Sequence, residues 1–62
     1  MRVGVIGLGS MGMGAALSAL RAGLSVTGCD PREAARDEFI AAGGTAVARA
    51  SDLPDGLDAL VV

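Results

Sequence analysis

Residues 3–12 read VGVIGLGSMG. The first four are apolar, with no polar alternation. A strand buried on both faces of a parallel sheet has this composition. Glycines then fall at 7, 9 and 12. From about Met11 the spacing becomes helical, with Met13, Ala16, Leu17 and Leu20 at i, i+3, i+4 and i+7. A strand, a glycine-spaced turn and a helix are thus written in one continuous stretch.

The same alternation continues outward. Residues 2–6 form the first strand, and Gly23 stands where a helix C-cap favours glycine. LSVTGCD (24–30) reads as a second strand through Val26 and Thr27. Asp30, Pro31 and Glu33 spell an N-cap, a first helical position and a capping box. This second helix is expected to run to Ala42. Ala35, Phe39 and Ala42 should face the sheet, and Arg32, Glu33, Arg36 and Asp37 the water. Residues 45–48 form a short third strand. A turn at 51–56 follows, with Ser51 as its expected cap, and 58–62 open a fourth strand. Alternation of this kind implies an α/β fold with a parallel sheet and right-handed crossovers. The expected strand order is 3-2-1-4, a partial Rossmann arrangement of βαβαβ plus the start of a fourth strand.

Composition removes several function classes. Charge is nearly balanced, with 5 Arg and no Lys against 7 Asp and Glu, and the arginines form no stripe. Phe39 is the only aromatic residue. Nucleic acid, which calls for a basic face and stacking rings, is therefore a poor partner. No apolar run reaches membrane length. With one cysteine and no histidine, neither a disulfide within the chain nor a Cys/His metal site is expected. A lone cysteine also fits a reducing, cytoplasmic setting.

GxGxxG alone is weak in a chain with 10 glycines. Its position between a strand and a helix gives each glycine a task. Gly7 allows the tight turn, Gly9 lets a pyrophosphate approach the backbone, and Gly12 lets the helix lie close to the strand. The N–H groups of Ser10 to Met13 are expected to face the phosphate oxygens, aided by the helix dipole. Ser10 has two readings, a phosphate contact or a helix cap. Met11 and Met13 read as packing residues, with Met11 also lining the channel through its backbone.

Asp30 completes the fingerprint, 18 residues after Gly12. Its carboxylate suits the ribose hydroxyls of an adenosine and repels a 2′-phosphate, which favours NAD over NADP. Helix capping explains the same residue without a ligand. Arg32 also has two readings, a solvated helix face or a partner for a 2′-phosphate. Cys29 lacks a neighbouring base, so a small buried side chain is the expected reading.

Residues 3–17, VGVIGLGSMGMGAAL, resemble the opening of the β-hydroxyacid dehydrogenases, the 3-hydroxyisobutyrate dehydrogenase group. RAGLSVTGCD, AAGGTAVA and LDALVV are similar to the L-threonate dehydrogenase branch. The resemblance implies NAD-dependent oxidation of a 3-hydroxy acid by a larger, homo-oligomeric parent. It implies cofactor contacts at Gly7, Leu8, Gly9, Ser10, Met11, Gly12 and Asp30. NADP-preferring relatives tend to carry Asn-Arg-Thr where this chain has Asp30-Pro31-Arg32, which again favours NAD.

The family's catalytic lysine and substrate loop have no counterpart in residues 1–62. No catalytic residue and no metal ligand is therefore assigned here. Residues 1–62 are expected to be the N-terminal part of a cofactor domain, inactive alone, with the remaining domain and a helical C-terminal domain elsewhere. The alternative is a stand-alone nucleotide-binding or structural βαβ module. The chain ending within a strand favours the fragment, as does an expected poorly covered sheet face of Val3, Val5, Val26 and Val61.

Overall fold

A computed structural model describes residues 1–62. The elements are β1 (Arg2–Ile6), α1 (Ser10–Arg21), β2 (Ser25–Cys29), α2 (Glu33–Ala41), β3 (Thr45–Val47), a single 3-10 turn (Ala50–Asp52) and β4 (Ala59–Val61). All strand pairs are parallel, in the order β3-β2-β1-β4. This is the expected order.

Both helices end in matching bond patterns. After α1, Gly23 N–H donates to the Leu20 carbonyl and Leu24 N–H to that of Ala19. After α2, Gly43 and Gly44 donate to Ile40 and Phe39. These are Schellman caps, and each returns the chain directly to the sheet. β4 is fixed beside β1 by a reciprocal pair. Arg2 N–H donates to Asp58 Oδ2 at 2.8 Å, and Asp58 N–H to the Arg2 carbonyl at 2.7 Å.

The core lies between the sheet and the helices. Val3, Val5, Leu8, Met13, Ala16, Val26 and Phe39 form one buried cluster. Phe39 is fully buried and packs its ring against Gly44, where no side chain stands. Met13 and Ala16 are buried and Leu17 and Leu20 half-buried, as the apolar stripe of α1 requires.

The two sheet faces are the reverse of the expectation. Val3 pairs with Val26 and Ala59, and Val5 with Gly28 and Val61. Paired residues share a face, so all four valines lie on the helix side. Val3, Val5 and Val26 are buried there, and Val61 is 43% exposed at the edge. The other face carries Gly4, Ile6, Thr27 and Leu60. A Cβ on Gly4 would meet Leu57 at 2.8 Å, Leu60 at 3.1 Å and Leu53 at 3.8 Å. The segment before β4 thus covers the middle of that face with leucine.

Smaller expectations also change. α1 begins at Ser10 rather than Met11, and Gly9 holds its N-cap position. α2 begins at Glu33 with Arg32 at its N-cap, with no side-chain cap bond. The capping box of Asp30 and Glu33 therefore does not form. Ala42 lies past the helix end and is exposed. Ser51 sits inside the 3-10 turn, and Arg49 precedes it.

Candidate functional site

The glycine loop joins β1 to α1 at the C-terminal edge of the sheet. Gly7 has φ +91°, a left-handed conformation that a side chain would strain. Its N–H donates to the Cys29 carbonyl at 2.8 Å, which continues the β1–β2 ladder into the turn. Gly12 lies against the Gly7 carbonyl, and a Cβ there would overlap that oxygen. The helix can approach the strand this closely only with glycine at 12. The task assigned to Gly12 from spacing is visible in this contact.

The start of α1 presents free donors. Met13 N–H donates to the Gly9 carbonyl at 2.7 Å, so it is not available as expected. The N–H groups of Ser10, Met11 and Gly12 have no backbone acceptor. Three donors and the positive end of the helix dipole converge there, an arrangement suited to phosphate oxygens. A pyrophosphate fits these residues, because Gly9 carries no side chain of its own at the approach and Gly12 lets the helix start lie close to the strand.

Asp30 sits at the end of β2, 4% exposed. It is not a helix cap. Its Oδ2 accepts the Leu8 N–H at 2.9 Å and Arg32 Nη2 at 3.1 Å. Its Oδ1 accepts the Arg32 N–H at 2.9 Å and Nε at 3.0 Å. The bond from residue 30 to the N–H of residue 32 is an Asx turn, which competes with capping. The Arg32 side-chain bonds hold the Asp30 carboxyl well below the usual carboxylate range. The backbone N–H groups of Arg32 and Leu8 add to this, and burial opposes it. The same contact raises the Arg32 guanidinium.

Arg32 is therefore neither a free helix-face residue nor a side chain already turned to a ligand. Its side chain is 64% exposed yet is bound through Nε and Nη2. Sequence spacing gave no signal for this pair. Arg36 is also drawn in, and Nη1 donates to the carbonyls of Asp30 and Pro31, both at 2.9 Å. Cys29 is buried, as expected. Met13 is packed in the core, whereas Met11 is 89% exposed and does not pack.

Two cavities meet at the loop. One, of about 420 Å³, is lined by Leu8, Gly9, Ser10 and Met13 on one side and by Arg32 and α2 on the other. The second, of about 480 Å³, runs from Gly7 and Met11 to Val61 and Val62. Gly9 and Ser10 line both. An extended ligand crossing the loop would pass from the end of β2 to the end of β4, the switch point where ligands bind in doubly wound sheets.

Residues 2–62 match the NAD binding domain of 6-phosphogluconate dehydrogenase. The chain belongs to this family. Membership makes it an NAD-binding domain, and the glycine loop is the part of the fold suited to that task. The L-threonate dehydrogenases of Haemophilus influenzae and Escherichia coli K12 are each 51% identical over 61 residues, 97% of this chain. That of Cupriavidus necator is 44% identical over 59 residues. A crystal structure of 3-hydroxyisobutyrate dehydrogenase from Salmonella typhimurium superposes with a TM-score of 0.89 at 49% identity, over 97% of this chain and 21% of that one. The chain spans about 20% of the length of the L-threonate dehydrogenases it matches.

Proposed function

We propose that residues 1–62 form the N-terminal, cofactor-binding part of an NAD-dependent dehydrogenase that oxidises a 3-hydroxy acid resembling L-threonate. The observation that carries this reading is the turn in which Gly12 packs on the Gly7 carbonyl beside the free N–H groups of Ser10, Met11 and Gly12. Gly7, Leu8, Gly9, Ser10, Met11, Gly12 and Asp30 are the residues assigned to the cofactor. The relatives' names support the reaction class, and their greater length supports a parent with further domains. The same resemblance extends the reading to a homo-oligomer with a small-molecule substrate, and the lone cysteine fits a cytoplasmic setting.

NAD supplies the hydride acceptor when bound. This chain's part is placement. The three N–H groups at the start of α1 hold the pyrophosphate. Asp30 fixes the loop through Leu8, and its carboxylate, now bonded to Arg32, is the acceptor assigned to the adenosine ribose. Residues 1–62 contain no Lys or His, so proton transfer from the substrate hydroxyl falls to residues elsewhere in the parent.

The test is oxidation of L-threonate and other 3-hydroxy acids by the intact protein, followed at the absorbance of reduced nicotinamide. Activity confined to 3-hydroxy acids supports the reading. NAD binding with no activity on any 3-hydroxy acid contradicts the substrate class and favours a nucleotide-binding module.

A further inference from the structure

Asp30 and Arg32 form a closed unit beside the cavity on the α2 side. A carboxylate has about four acceptor positions. At Asp30 all are used: by the N–H groups of Leu8 and Arg32, and by Nε and Nη2 of the Arg32 side chain. The Asp30 side chain is 5% exposed and that of Arg32 is 64% exposed. A ribose entering this cavity meets the guanidinium before the carboxylate. The two backbone bonds are fixed by the loop and the Asx turn. The other two depend on one flexible, solvent-facing side chain, and these a ligand can displace.

We propose that Arg32 is a built-in competitor for the ribose site: its guanidinium occupies the positions on Asp30 that the adenosine hydroxyls of NAD require, and once displaced it is free to take a 2′-phosphate. The inference rests on the dinucleotide reading above. The exchange balances in hydrogen bonds, since two ribose hydroxyls donate two bonds in place of Nε and Nη2. The displaced group stays close. A Cβ built on Gly9 would lie 3.9 Å from Arg32 Nη2, so the guanidinium already stands over the loop. There it can grip a phosphate with paired, charge-assisted hydrogen bonds. Arg32 thus weakens NAD binding and strengthens NADP binding, and the site tolerates both despite Asp30.

Titration calorimetry on the intact protein carrying residues 1–62 tests this with NAD and NADP as the probes. Arg32→Ala is expected to bind NAD about 2- to 5-fold more tightly, the scale of an exposed ion pair that no longer has to be broken. It should bind NADP at least about tenfold more weakly, for loss of the charge-assisted bonds. Arg32→Lys keeps the charge without the planar fork and should fall between for NADP. Equal or weaker NAD binding by Arg32→Ala, when the wild type binds NAD, overturns the competition and leaves the dinucleotide reading intact. Unchanged NADP affinity overturns the transfer to the 2′-phosphate. A wild type that binds neither dinucleotide overturns the reading itself and the inference with it.

Discussion

The carboxylate of Asp30 accepts the backbone N–H of Leu8 at 2.9 Å, and so ties the end of β2 to the middle of the glycine loop. The bond is buried and spans 22 positions of chain. Leu8 itself packs in the core, with its side chain over Gly28. The shape of the loop is therefore held by the second strand as well as by its own glycines.

Replacing this residue should damage stability and binding together. Asp30→Ala leaves the Leu8 N–H without its acceptor and frees Arg32, so the thermal midpoint and the affinity for NAD should both fall. Asp30→Asn keeps an oxygen for Leu8 and should retain more of the stability than Asp30→Ala. Thermal unfolding and calorimetry on the same samples separate the two effects.

The same carboxylate makes stability depend on acid. Its folded pKa is depressed by Arg32 and by the Leu8 and Arg32 N–H groups. Its contribution is thus fully present above the unfolded value of about 3.9 and is lost as pH falls through the lower, folded value. Urea midpoints should decline between about pH 5 and about pH 2, and the decline should be shallower in Asp30→Asn. Equal pH dependence in the two proteins would contradict this assignment.

Gly12→Ala places a methyl group on the Gly7 carbonyl oxygen. Relief requires moving α1 off β1 or reshaping the turn, and either change spoils the geometry at Ser10, Met11 and Gly12. NAD affinity should fall at least about tenfold, the effect of losing one or two charge-assisted contacts. Gly14→Ala, where no atom lies near an added Cβ, is the matched control and should bind normally.

Phe39→Ala removes the largest buried side chain. Truncations of this kind cost about 3–5 kcal/mol. Only 11 residues are buried, so the core has little to compensate with. Loss of cooperative unfolding, read by near- and far-ultraviolet dichroism, is the expected outcome.

Strand order was legible because a turn, a crossover and a parallel strand leave few topologies open. The turn itself was legible because glycines at 7 and 12 have steric causes that spacing reveals. The sheet faces were not. RVGVI is apolar or small at each position after Arg2, so its period of two is hidden. The valines could be assigned to the helix side only once Gly4 was seen under Leu53, Leu57 and Leu60. Asp30 was misread as a cap because Asp-Pro-x-Glu suits both a capping box and an Asx turn, and local spacing does not separate them. What decided it was Leu8, distant in sequence, together with an arginine whose side chain turns back on its own loop.

On the proposed function, the N–H groups opening α1 hold the pyrophosphate of NAD. Amide resonances of the intact, nitrogen-labelled protein, followed during titration with NAD, report that contact. Ser10, Met11 and Gly12 should show the largest shifts, saturating with the calorimetric affinity, while Arg49 and Ser51 stay in place. Saturable NAD binding that leaves those three amides unmoved would contradict the account.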